Sequence, residues 1–137
     1  MIKNINVVFK ADDENNPKGL NNVDLDQLSS ITNNYVEHID CVELDKFTIT
    51  DRHKLFVTAI QKLAIKGVMQ LKFINLDLLA NKVSKTEMTG QQYSKILPNI
   101  NSCWSHLEYL DVISQSKLKI QNVYYDNIYT IVKLEKV

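Results

Sequence analysis

The pattern that most restricts this chain is an apolar run, an amphipathic helix and a second apolar run in succession between Val36 and Ile74. Val36 to Leu44 (VEHIDCVEL) and Val68 to Ile74 (VMQLKFI) carry the β-branched and large apolar residues of buried strands. Between them Leu55, Phe56, Ala59, Ile60, Leu63 and Ala64 recur at helical spacing. This predicts a helix over 51–66, with Thr50 as N-cap and Gly67 just past its end. A strand, helix and strand of these lengths make a right-handed parallel crossover, so an α/β fold is expected.

The flanking segments extend the pattern. Ile5 to Phe9 reads as a buried strand followed by a polar loop punctuated by Pro17 and Gly19, and Asn22 to Leu25 as a weaker strand. Asp26 to Asn34 is a helical turn or a connection. After the crossover, Asn75 can cap a helix whose inner face is Leu76, Leu79, Ala80 and Val83. A loop over 86–90, a short helix over 91–97 stopped by Pro98, and a capping box Ser105-x-x-Glu108 opening a helix to about Ser114 come next. Lys119 to Tyr125 and Ile128 to Leu134 are β-rich runs joined by Asp126-Asn127, a two-residue hairpin connection. The expected sheet is mostly parallel and ends in an antiparallel hairpin, within a single domain spanning 1–137.

Composition narrows the function. Sixteen basic and sixteen acidic residues leave no formal net charge, so bulk charge gives no support to nucleic-acid or membrane-surface binding. No stretch approaches the ~20 apolar residues of a spanning helix, and the N-terminus lacks the apolar core of a signal peptide. A cytoplasmic protein is expected. Cys41 and Cys103, far apart in sequence, make no disulfide framework and suit a reducing compartment. With three glycines and two prolines in the chain, the flexible backbone that cradles nucleotides is scarce.

Several constellations carry residue types capable of chemistry. His38-x-x-Cys41 and Cys103-x-x-His106 together form a ligand set zinc accepts, but residues three apart on a strand point to opposite faces, so no metal site is expected. No nucleophile elbow occurs, and no catalytic residue is assigned. Asp24, Asp26, Asp40, Glu43 and Asp45 gather near strand ends, where open α/β sheets bind ligands and where exposed turns also place carboxylates. Tyr124, Tyr125 and Tyr129, with Trp104, could stack bases; without a basic excess around them, packing is the expected role.

The order of elements and several strings resemble the small class I S-adenosylmethionine-dependent methyltransferases, of a type often found beside glycosyltransferases or in phage genomes. Pro17-Lys18-Gly19-Leu20-Asn21-Asn22-Val23-Asp24-Leu25 is similar to the family's Pro-Gly-Trp-x-Asn-Val-Asp-Leu-like segment, which puts Asp24 at the acidic end of strand two. Val36-Glu37-His38-Ile39 and Leu44-Asp45-Lys46-Phe47 resemble the start and end of its next conserved strand, and Lys62-Leu63, Gly67 and Leu71-Lys72-Phe73-Ile74 the helix end, glycine turn and strand that follow. The resemblance covers nearly the whole chain. It implies a Rossmann-like, mostly parallel sheet with a C-terminal antiparallel hairpin and helices on both faces. Were S-adenosylmethionine bound, Asp24 would hold the ribose hydroxyls and Asp45 would sit near the methionine end.

The departures fall on the cofactor motif. Where the family has Leu-Asn-Val-Gly-Cys-Gly, this chain has Ile5-Asn6-Val7-Val8-Phe9-Lys10-Ala11-Asp12, without a glycine. Side chains at Phe9 and Lys10 should occupy the space those glycines leave for the cofactor. No cofactor is therefore expected, with S-adenosylmethionine as the alternative. The leading expectation is a non-catalytic methyltransferase-like scaffold that docks a protein partner or itself, in a larger complex or a phage particle. The alternative is an active methyltransferase with a divergent pocket.

Overall fold

A computed structural model of the protein describes residues 4–9, 22–100 and 110–137. Six strands form one sheet: β1 (Asn4–Val7), β2 (Asn22–Val23), β3 (Val36–Cys41), β4 (Leu63–Ile74), β5 (Leu118–Asp126) and β6 (Tyr129–Lys136), in the order β2-β1-β3-β4-β6-β5. β1 pairs in parallel with both β2 and β3, and β3 with β4. β6 returns antiparallel between β4 and β5. The chain thus has the mostly parallel α/β sheet and closing hairpin that its sequence predicts.

Strand alternation separates the two faces. Ile5, Ile39, Met69, Leu134 and Ile120 stand in one row, and Val7, Cys41, Leu71, Val132 and Val123 in the next. These rows form the floor of the main core. Three helices contribute to it: α1 (Leu25–Ser29) through Leu28, α2 (Ile49–Lys62) through Leu55, Phe56, Ala59 and Ile60, and α5 (Leu110–Gln115) through Ile113. On the opposite face the register lines up Asn22, Asn6, Asp40, Gln70, Lys133 and Asn122, a row that is polar on every strand. Helices α3 (Leu76–Ser84) and α4 (Gly90–Ile96) cover the carboxyl end of β4 and the amino end of β6, where Ile74, Leu79 and Ile128 make a second core with Tyr93, Ile96 and Tyr129.

The crossover differs in detail from its expected bounds. The cap of α2 is Thr48, whose hydroxyl accepts from the Asp51 N–H, and the helix stops at Lys62. Leu63 is already extended because it pairs with Val36, and the Lys136 ammonium takes the Ile60 and Leu63 carbonyls at 2.8 and 3.0 Å. The helical periodicity through Leu63 and Ala64 therefore yields to strand pairing. Gly67 lies inside β4, not at a helix end. There β4 bulges against β3, Lys66 adopts φ 68, and a Cβ on Gly67 would stand 2.7 Å from the Ala64 carbonyl oxygen. Only glycine meets that approach without displacing backbone.

Other boundaries shift less. β1 ends at Val7, β2 at Val23 and β3 at Cys41, after which Leu44–Lys46 form a 3-10 turn. Asn75 caps α3 as expected, its Oδ1 accepting from the Asp77 and Leu78 N–H groups, but Leu76 and Ala80 face solvent and Leu79 alone is fully buried there. Thr89 and Gln92 form a capping box on α4. The hairpin turn is Asn127-Ile128, one residue later than expected, because Ile128 is buried in the second core and Asn127 takes the positive φ of 55. The Pro17-Gly19 loop and the Ser105-x-x-Glu108 box lie outside the described residues.

Candidate functional site

The sheet order reverses direction between β1 and β3: the chain leaves β1 toward β2 on one side, then proceeds through β3 and β4 on the other. Open α/β sheets bind their ligands in the crevice outside the carboxyl ends of the strands at such a point. Here that crevice is crossed by the chain's own groups. The Phe9 N–H, just past β1, donates to Glu43 Oε2 at 2.7 Å, and Glu43 lies just past β3. The Phe9 ring meets Phe47 edge-on, with centroids 5.3 Å apart and planes at 84°. Lys46 Nζ reaches Glu43 Oε1 at 3.3 Å, so both carboxylate oxygens have partners. A charge-assisted bond to a backbone N–H and an aromatic edge contact together hold the ends of β1 and β3 closed on each other.

Asp24 directly follows β2, on the far side of β1 from Glu43. Its Oδ1 accepts from the Gln27 N–H at 2.9 Å while Gln27 Oε1 accepts from the Asp24 N–H at 3.1 Å, a capping box that starts α1. Asp45 is 8% exposed, and both its oxygens accept from the Ile74 N–H, at 3.2 and 3.1 Å, where β4 ends. Burial pushes the Asp45 carboxyl up to about 6; the Ile74 and Asp45 N–H groups and the Arg52 charge oppose the rise. Each carboxylate is thus committed to local structure, one to a helix start and one to a strand end.

Beside Asp45 opens a cleft of about 380 Å³ at the carboxyl ends of β3 and β4 and the amino end of β6. It is lined by Val42, Ile74, Ile96 and Tyr129 together with Glu43, Asp45 and Lys46. Of the acidic residues gathered by the sequence, Glu43 and Asp45 come together here; Asp26 sits in the first turn of α1 and Asp40 on the polar face of the sheet. Phe9, Glu43 and Phe47 are the residues that meet at the switch point. The sequence marked Glu43 only as one acid among several, and no local signal pairs it with an amide 34 positions away.

His38 and Cys41 lie on opposite faces. His38 Nε2 and Asp40 Oδ1 are 2.9 Å apart, whereas Cys41 is in the main core, its thiol pushed up by burial and then by the Asp40 charge. Among the described residues no group of three or more His, Cys, Asp or Glu side chains could hold a metal ion. Cys103, Trp104 and His106 lie outside the described residues. Tyr129 packs beneath the Lys72 ammonium, 4.4 Å from the ring centre, while Tyr124 and Tyr125, opposite Ile131 and Thr130 of β6, are exposed on β5. Among the described residues no helix is long and apolar enough to cross a membrane.

No family model matches the sequence, and no curated protein matches it. Solved structures match the fold over nearly the whole chain. A SAM-dependent methyltransferase from Archaeoglobus fulgidus superposes with a TM-score of 0.67 at 7% identity, covering 98% of this chain and 86% of that one. The chain has a class I methyltransferase-like fold. A second SAM-dependent methyltransferase, described as a possible histamine N-methyltransferase, from Thermotoga maritima gives 0.62 at 10% identity, over 98% of this chain and 82% of that one. A possible exported protein from Bordetella parapertussis gives 0.52 at 12% identity; there 85% of this chain spans 44% of the longer one. At these identities the methyltransferase-like likeness is one of fold.

Proposed function

We propose that this chain is a methyltransferase-like domain that works without catalysis, as a scaffold or assembly component of a larger complex or a phage particle. The observation that carries the reading is the closed switch point. The Phe9 N–H and ring, which border the space a cofactor would need, are taken by Glu43 and Phe47. A glycine-rich turn supplies backbone N–H groups and open space to such a ligand; this turn supplies a phenylalanine and an N–H already bonded to a carboxylate. That carboxylate would also repel the carboxylate of the methionine moiety. The residues present do not fit S-adenosylmethionine.

Calorimetry of the whole chain with S-adenosylmethionine, paired with a thermal melt at millimolar cofactor, tests the reading. No heat and no rise in melting temperature are expected, since a ligand that prefers the folded state must stabilise it. Saturable binding would overturn it. Phe9→Gly, which removes the ring from the crevice, is the variant expected to gain affinity.

The alternative, a divergent S-adenosylmethionine-binding methyltransferase, is favoured by the fold and by the position of Asp24 directly after β2. In that case Asp24 would exchange its capping bond for ribose hydroxyls. Asp24→Asn, which keeps an acceptor for the Gln27 N–H, would then weaken cofactor binding while sparing the melting temperature.

A further inference from the structure

The two edges of the sheet are unequal. β2 contributes 2 residues to one edge, whereas β5 presents 9 residues along the other, with Tyr124 and Tyr125 exposed at 40% and 64%. Among the described residues no strand pairs with the outer edge of β5, and a strand of this length with such an edge is a template for a further strand. Its pairing with β6 shifts register between Ile120 and Asn122, so the regular part of β5 is Asn122 to Asp126 (NVYYD), which contains neither proline nor glycine.

We infer that this segment pairs antiparallel with the same segment of a second copy of the chain, joining two sheets across a two-fold axis. A two-fold contact is isologous, and opposed residues in a ladder share a face, so a register that uses all five residues centres on Tyr124. That register is self-complementary. Asn122 opposes the second copy's Asp126, an amide facing a carboxylate; Val123 opposes Tyr125, a β-branched residue facing an aromatic one; and Tyr124 opposes itself. No like charges meet, and the chain's zero net charge adds no repulsion between copies. The pairing does not depend on whether the chain binds a cofactor, and its test uses none, so either proposal can fail alone.

Sedimentation equilibrium over a wide concentration range reads the dimer, and engineered disulfides read its register. In a Cys103→Ser background, Tyr124→Cys places two thiols at ladder positions within disulfide reach, whereas a cysteine at Tyr125→Cys faces Val123. The expected results are a concentration-dependent dimer, covalent dimer on air oxidation of Tyr124→Cys well above that of Tyr125→Cys, and a dissociation constant raised at least about tenfold by Tyr124→Lys. Tyr124→Lys should keep the melting temperature of the dilute monomer, which shows that it folds. A chain monomeric throughout, a dimer indifferent to Tyr124→Lys, or equal cross-linking at both positions would overturn the proposal. So would an edge that takes up only an extended segment of another protein.

Discussion

At the scale of single residues, two positions illustrate how the sheet constrains chemistry. Gly67 sits where a Cβ would come within 2.7 Å of one backbone oxygen and 3.0 Å of another, at Ala64 and Glu37. Gly67→Ala should therefore cost about 1–3 kcal/mol, the usual range for overpacking, read by urea denaturation. Asp45 carries a sign that can be checked. Burial raises its carboxyl pKa to about 6 in the folded chain, above the ordinary 3.8, so the folded state holds the proton more tightly than the unfolded chain. The contribution of Asp45 is thus fully present below about pH 4 and is lost as pH rises through about 6. Asp45→Asn keeps an acceptor for the Ile74 N–H without a charge, so its stability relative to the parent should grow between pH 4 and 7. A difference that stays flat across that range would contradict the assignment. Neither feature is legible in local sequence: a glycine after a helical run reads as a terminator, and an aspartate near a strand end reads as an exposed turn residue or a ligand-binding one.

At the scale of elements, most of the architecture could be read from periodicity and capping chemistry. The strands around Val36–Cys41 and Val68–Ile74, the Asn75 cap and the terminal hairpin were legible because each rests on local sequence. What shifted was set by distant partners. α2 ends early because Leu63 finds Val36 and because the Lys136 ammonium, 76 positions along the chain, takes the Ile60 carbonyl. The hairpin turn moves by one residue because Ile128 has a core to enter. Asn75 does more than cap α3, since its Nδ2 also donates to Thr130 Oγ1 at 3.0 Å and its N–H to the Ile128 carbonyl at 2.8 Å. Asn75→Ala should cost about 1 kcal/mol for the lost cap, rising toward about 2 with the Thr130 bond. Hydrogen exchange should show the opening at α3 and the start of β6, with β1 and β3 unaffected.

At the scale of the whole molecule, the chain keeps the sheet of a methyltransferase-like fold while the ends of β1 and β3 are bound to each other. The scaffold was visible in the sequence through its order of elements, and the missing glycines pointed to the altered turn; the Glu43 and Phe47 contacts that close it depend on the fold and left no trace in local spacing. Glu43→Gln weakens the charge-assisted bond while leaving Phe47 in the main core, so it should speed exchange of the Phe9 amide with little effect on α3 or α4. The closed switch point is tested most simply by titrating the isotopically labelled chain with S-adenosylmethionine and following the backbone amide resonances of Phe9, Glu43 and Asp24. With the switch point closed, these resonances should stay in place up to millimolar cofactor. Saturable shifts converging on Phe9 and Asp24 would contradict it and make the switch point a cofactor site.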